Sequence, residues 1–209
     1  MKTQDTEQVQ FWRGDFGDAY IDRNSNNANN LRARIAFWSK LMACLVGPAP
    51  RSILEIGANV GNNLHALRHL TDAEFFALEP NEKARKILVS DGVVPAPNVH
   101  NGVASSINLP DKSVDLAFTS SVLIHIHPDD LEVACREIYR VTARYIVCIE
   151  YFSDKPEEAH YRGHSERLFK RDFGDYWLKL FPKMETVRYG FAWKRVSGLD
   201  NLTWWIFRK

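Results

Sequence analysis

The sequence predicts an α/β fold of the doubly wound kind, built on one mainly parallel sheet. Three observations carry that expectation. Apolar runs of strand length alternate with segments whose apolar residues recur at helical spacing, the pattern of a parallel sheet with crossover helices. The first run, at 53–56, ends in a glycine-bearing turn, Gly57-Ala-Asn-Val-Gly61, that leads straight into a helical segment. After alternation through five strands, two aromatic segments at 186–193 and 202–209 follow without a long helix between them and read as a terminal strand pair.

Each element has a local reason. Residues 1–28 are polar, asparagine-rich and punctuated by aromatics, and are read as a cap or lid segment; 29–209 form the domain proper. Asn29 or Asn30 can cap a helix reaching about Val46, on which Leu31, Ile35, Trp38, Met42 and Leu45 form an apolar stripe. Gly47, Pro48 and Pro50 stop it. Strand one covers 51–56, and Leu64, Leu67 and Leu70 give the following helix its buried face. Strand two covers 74–79 and a helix spans 81–90. Asp91-Gly92 and the prolines at 95 and 97 mark a loop before a short third strand near 98–103.

The run at 113–123 reads as a central strand. Pro128 opens the next helix, with Asp129 and Asp130 at its positive end, and Leu131, Ala134, Cys135, Ile138 and Val141 on its buried face. Residues 144–152 are apolar enough for a fifth strand buried on both faces. The polar stretch 153–165 is too long for a simple connection, which marks 153–171 as a substrate loop or lid. Asp172 and Asp175 then form a capping pair for a helix ended by Pro182.

Composition narrows the function classes. At 209 residues and 45% hydrophobic, the chain can bury one substantial core. A net charge of +1 provides no global field for nucleic acid or membrane, so neither partner is expected. Cys44, Cys135 and Cys148 lie in apolar contexts without metal-ligand spacing; reduced thiols, a cytoplasmic location and no metal are expected. The N-terminus lacks the apolar core of a signal peptide, and no stretch approaches the ~20 apolar residues of a membrane span.

The chemistry concentrates at the turn. Gly57 and Gly61 allow positive φ and a bare backbone surface against which a ligand can lie. About twenty residues on, the second strand ends in Glu79, placed to accept hydrogen bonds from a ribose diol. A dinucleotide fingerprint would need glycines where Asn59 and Asn62 stand, and the phosphate loop ending in Gly-Lys-Ser/Thr is absent. The segment from Glu55 through Gly57, Asn59 and Gly61 instead resembles motif I of the Rossmann-like S-adenosylmethionine (SAM) methyltransferases, with Asn59 in place of the central glycine.

Longer blocks are similar to a narrower group, the pseudaminic-acid-biosynthesis-associated methyltransferases: FWRGDFGDAYIDRN at 11–24, SSVLIHIHPDDL at 120–131, EIYRVTARYIVCIEYF at 137–152 and YRGHSERLFKRDFG at 161–174. That resemblance implies a seven-stranded sheet of order 3-2-1-4-5-7-6 with strand seven antiparallel, and SAM as cofactor. It also implies that Ser105 and Ser106, before a Leu-Pro turn, flank the adenine, in place of the acid often found there. A segment carrying Trp12, Tyr20, Arg23 and Asn24 would fold over the cofactor, with Arg23 on the methionyl carboxylate, or else be an arm whose aromatics simply cover core surface.

Other candidates carry two readings each. Asn81 can support the adenosine or cap a helix; Ser120, at a strand's C-terminal edge, can face a ligand or bond its own backbone. His125 and His127 alternate with isoleucine, so an extended segment puts both imidazoles on one side, where His125 could take a substrate proton. Both could equally be satisfied by backbone carbonyls. Glu150 and Tyr151 end the fifth strand at the reaction edge and can touch substrate or tether the loop. Tyr161, Arg162, His164, Arg167, Lys170 and Arg171 form a basic run that is either a solvated face or an anion-recognition segment.

The expected function is transfer of the SAM methyl to a small polar, anionic acceptor such as a sugar acid or nucleotide sugar, with oxygen favoured over nitrogen. His125, Tyr151 and His164 are the candidate catalytic groups; His127, Glu150, Tyr161, Arg162, Lys170 and Arg171 are the candidate acceptor contacts. A non-catalytic SAM- or nucleoside-binding partner protein is the rival from another class, and an RNA or protein methyltransferase the rival enzyme. A monomer or homodimer fits either.

Overall fold

The structure is a computed structural model and describes residues 6–23 and 28–209. The polar N-terminal segment folds as two short helices, α1 (Glu7–Arg13) and α2 (Asp15–Arg23). Thr6 caps α1 by accepting the Val9 amide at 3.4 Å. At Gly17 the two helices touch so closely that a Cβ would sit 1.9 Å from the Trp12 carbonyl oxygen. Helix α3 (Ala28–Met42) starts before Asn29 and Asn30, which therefore lie inside it, and ends short of Val46.

Strands β1 (Ser52–Ile56), β2 (Glu74–Leu78), β3 (Val99–His100), β4 (Val114–Ser120) and β5 (Thr142–Glu150) pair in parallel. Helix α4 (Asn62–Leu67) connects β1 to β2, α5 (Glu82–Ser90) leads toward β3, and α6 (Pro128–Val141) joins β4 to β5. Two short strands, β6 (Glu157–Glu158) and β7 (Phe169–Lys170), pair antiparallel at the base of the long polar loop. Helix α7 (Phe173–Leu180), capped by Asp172 accepting the Asp175 amide at 2.9 Å, precedes β8 (Glu185–Ala192), α8 (Lys194–Ser197) and β9 (Leu202–Arg208).

The main sheet has seven strands in the order β3-β2-β1-β4-β5-β9-β8, with β9 antiparallel to both neighbours. Numbered within that sheet, the order is 3-2-1-4-5-7-6, as the resemblance implies. Both faces of the sheet are covered, which is why its inner strands read as near-continuous apolar runs. Ile53, Phe118, Val147 and Trp204 pack with Trp38, Leu64 and Leu88 on one side; Leu54, Ala117, Cys148 and Phe207 pack with Leu131, Ile138 and Trp177 on the other.

Two boundaries differ from expectation for local reasons. The central strand stops at Ser120, because Ser121 adopts φ +58° and the chain enters a 3-10 turn at Leu123–His125. The third strand is only two residues long, since the chain forms an isolated bridge between Val103 and Ser106 instead of extending.

Candidate active site

A cavity of about 580 Å³ opens over the C-terminal ends of β1, β2 and β4, the crevice where open α/β sheets bind ligands. Its floor is the motif turn. Gly57 has φ +66°, and a Cβ there would lie 2.7 Å from Val122 Cγ2, so neither conformation nor space admits a larger residue. Asn59 takes φ +50°, a region asparagine tolerates, and its Oδ1 accepts the Val60 amide at 2.7 Å. The missing glycine is thereby accommodated. Gly61 packs against Leu88 behind the turn and does not line the cavity.

Glu79 is 6% exposed and locked by two backbone donors. Its Oε2 accepts from Asn59 N at 2.7 Å and its Oε1 from Asn81 N at 2.8 Å, and burial raises its pKa. A carboxylate offers about four acceptor positions, so capacity remains on the cavity side. Asn81 both lines the cavity and caps α5, accepting the Ala84 amide at 3.0 Å. Its Nδ2 also donates to Asp18 Oδ1 at 2.8 Å and to the Trp12 carbonyl at 3.2 Å, which docks α1 and α2 over the site.

At the other end, Asn63 Nδ2 donates to Glu55 Oε1 at 2.7 Å, while Asn63 Oδ1 accepts from Arg34 Nη1 at 2.7 Å and Trp38 Nε1 at 3.2 Å. Burial pushes the Glu55 carboxyl up to about 8, outweighing the opposing pull of Asn63 and Arg34. Glu55 Oε2 is buried without a protein partner. Ser105 and Ser106 line the wall beyond Glu79, on the bridged turn that follows Gly102. Ser120 lines it at the end of β4.

His125 stands at the far wall. Its Nδ1 is 2.6 Å from the Arg167 carbonyl oxygen, which can only accept, so Nδ1 carries the proton and Nε2 the lone pair. Burial lowers its pKa to about 4, leaving the ring neutral at pH 7. Trp12 and Tyr161 flank it, with ring centroids 4.8 Å and 4.9 Å away. His127 also lines the cavity, and its Nδ1 accepts the Asp129 amide at 3.3 Å as the cap of α6.

Glu150 lies beneath the wall, fully buried, and does not line the cavity. It accepts the amides of Val122, Leu123 and Ile124 at 3.2, 3.2 and 3.4 Å, fixing the turn that ends in His125; burial pushes its pKa up to about 7. Tyr151 donates to Asp200 Oδ2 at 3.2 Å, and Asp200, not Tyr151, lines the cavity.

The remaining candidates sit outside the cavity. Arg23 is exposed, packed over the rings of Phe16 and Tyr20, although Tyr20 and Trp12 line the cavity. Asn24 lies outside the described residues. His164 packs edge-on against Phe11 and Phe16 at 5.0 and 5.5 Å. Arg162 lies over Tyr161, Lys170 pairs with Glu157 at 2.9 Å, and Arg171 covers Tyr176. These residues of the basic run thus engage neighbouring side chains and do not line the cavity. Sequence reasoning passed over Arg34, Asn63, Gln8 and Asp200, all of which line the cavity. Arg34 alone had a signal, standing one helical turn from both Asn30 and Trp38.

Among the described residues, no group of three or more His, Cys, Asp or Glu could hold a metal, and no helix is long and apolar enough to cross a membrane. Residues 54–145 match a family model described as a methyltransferase domain. No curated protein matches the chain. Among solved structures, a Leishmania major SAM-dependent methyltransferase superposes with a TM-score of 0.72 at 15% identity, covering 96% of this chain and 81% of that one. A Burkholderia thailandensis 1,6-didemethyltoxoflavin-N1-methyltransferase, with its substrate and S-adenosylhomocysteine bound, gives 0.70 at 19% identity, covering 97% and 89%. A Thermotoga maritima SAM-dependent methyltransferase, described as a possible histamine N-methyltransferase, gives 0.63 at 18% identity, covering 98% and 100%. Over residues 54–145 the chain is thus similar to a methyltransferase domain, and its seven-stranded sheet has the fold of these solved methyltransferases.

Proposed function

We propose that the chain transfers the SAM methyl to a nucleophilic oxygen or nitrogen of a small polar acceptor admitted beneath the α1–α2 lid. The observation that carries this is Glu79, a buried carboxylate oriented by two backbone amides and left with acceptor capacity toward the cavity. The ribose diol would bond there, with the adenine between the Ser105–Ser106 turn and Leu78. Arg34, joined to Glu55 through Asn63, takes the role expected of Arg23 and meets the methionyl carboxylate. Glu55 Oε2, buried and unpartnered, faces the ammonium.

When bound, SAM supplies an electrophilic methyl on its sulfonium. The chain's contribution is then mainly alignment of the acceptor with that methyl. A hydroxyl or amine acceptor would lose a proton as its bond to the methyl carbon forms and the carbon–sulfur bond breaks to leave the neutral thioether, and His125 Nε2 would receive that proton. A carboxylate would need no such base. Trp12 and His125 give the acceptor an aromatic, uncharged stretch of wall, with Tyr161 packed against His125. The basic run does not line the cavity, so any preference for an anionic acceptor would rest on Arg13 and Lys194, which do. The N-methylation named for the Burkholderia neighbour supports nitrogen as equally served.

Calorimetry with SAM and S-adenosylhomocysteine tests the reading, since both should bind wild type and bind Glu79→Ala far more weakly. Metabolite profiling with isotopically labelled methyl-SAM then finds the acceptor. A protein that binds neither nucleoside is not a methyltransferase of this design.

A further inference from the structure

We propose that Gln8 is a positioning residue: its side-chain amide clamps the lid loop so that the next carbonyl along holds the proton of His125 on Nδ1. Gln8 is 8% exposed on α1, far in sequence from the lid it touches. Its Nε2 donates to the Glu166 carbonyl oxygen at 2.5 Å, and because a carbonyl only accepts, the amide orientation is fixed. The adjacent carbonyl, that of Arg167, accepts from His125 Nδ1 at 2.6 Å. One peptide unit therefore separates the two contacts.

The loop does not hold this shape by itself. Glu166 adopts φ +56°, a conformation that L residues with a side chain disfavour. It persists because neighbours over-determine it. Besides Gln8, Glu158 Oε1 accepts the Glu166 amide at 2.5 Å, and the Arg167 guanidinium lies 5.1 Å from the Phe11 ring centroid and 3.5 Å from Glu7 Oε2. Most of these holds come from α1. The same helix pair is tied to the ribose end of the cavity, where Asn81 bonds Asp18 and the Trp12 carbonyl. The helix pair that contacts the cavity beside Glu79 is thus the one that holds the loop carrying the Arg167 carbonyl.

The chemical consequence falls on the imidazole. A neutral imidazole without this acceptor places its proton mainly on Nε2, which would fill the lone pair needed to receive the acceptor's proton. With Arg167 O in place, Nδ1 is the donor and Nε2 stays basic. The catalytic meaning of this rests on the reading of His125 as the base; the tautomer itself does not.

Long-range ¹H–¹⁵N spectra of histidine-labelled protein with S-adenosylhomocysteine read the tautomer directly, with His125→Gln identifying the signal. Wild type should show His125 protonated on Nδ1. In Gln8→Met, which keeps the side-chain length and removes the donor, the signal should move toward protonation on Nε2. Gln8→Asn, whose amide is too short to reach Glu166, should do the same and serves if the methionine variant fails to fold. An unchanged Nδ1–H signal in the folded variants overturns the proposal. Turnover of the acceptor found by labelled-methyl profiling separates the two readings. If His125→Ala retains full activity while Gln8→Met still shifts the tautomer, the base assignment falls and the clamp stands.

Discussion

Arg34 Nη1 donates to Asn63 Oδ1 at 2.7 Å, joining the helix before the sheet to the helix after the motif turn. That bond holds a guanidinium in the cavity wall beside Glu55, at the end away from Glu79.

The pairing predicts how nucleoside affinity divides. Arg34→Lys keeps the charge and loses the planar fork, so SAM binding should weaken by about 1.5–3 kcal/mol, the scale of a charge-assisted bond. Methylthioadenosine has no amino-acid tail and should bind the variant as it binds wild type. Calorimetry with both ligands checks this; an equal loss for the two would remove Arg34 from the carboxylate site.

Gly57→Ala should be destabilising as well as inactivating. The new Cβ meets Val122 Cγ2 at 2.7 Å, and φ +66° is itself unfavourable by about 1–2 kcal/mol for an alanine. Asn59→Gly should be far milder, because glycine accepts φ +50° freely and only the bond to the Val60 amide is lost. Urea denaturation of the two variants orders them.

Glu150 predicts a pH dependence of stability. Its carboxyl is pushed up to about 7 in the folded chain by burial, against about 4.3 in an unfolded one. The folded state therefore binds the extra proton between these values. Its stabilising contribution is complete below the unfolded pKa and is lost as pH rises through about 7. Glu150→Gln stays neutral throughout, so its stability relative to wild type should climb from about pH 4 to pH 7 and then level off. Denaturant midpoints across that range measure the difference; a flat difference would mean Glu150 is ionised in the folded protein at all of them.

The fold was legible because both faces of the sheet are buried, so β1, β4 and β5 are written as apolar runs that only a covered sheet can use. The floor of the cavity was legible for a related reason: Gly57 and Glu79 answer constraints local to one turn and one strand end. The charge run was legible too, but its direction was not. Whether Lys170 faces a ligand or Glu157 is decided by the pairing of β6 with β7, a contact between distant residues with no local signal. Arg34 was passed over in favour of Arg23 for the same reason. Each stands on a helix, and only packing against Asn63 or against Phe16 and Tyr20 separates them.

His125 supplies the last prediction. With its pKa lowered to about 4 by burial, the imidazole is neutral and able to accept a proton across the whole range above pH 5. The acid limb of kcat assigned to this group should therefore fall near 4, well below the ordinary histidine value near 6.5. The same shift works against folding in acid. Because the unfolded histidine binds its proton first, stability declines as pH drops from about 6.5 to about 4. His125→Gln removes that decline and should lower turnover of a hydroxyl or amine acceptor by about 10²-fold, the lower range for a lost general base. SAM affinity should hold, since the ring touches the lid side of the cavity and not Glu79. If turnover instead drops with SAM affinity in equal measure, His125 braces the cofactor site and the proton must go elsewhere.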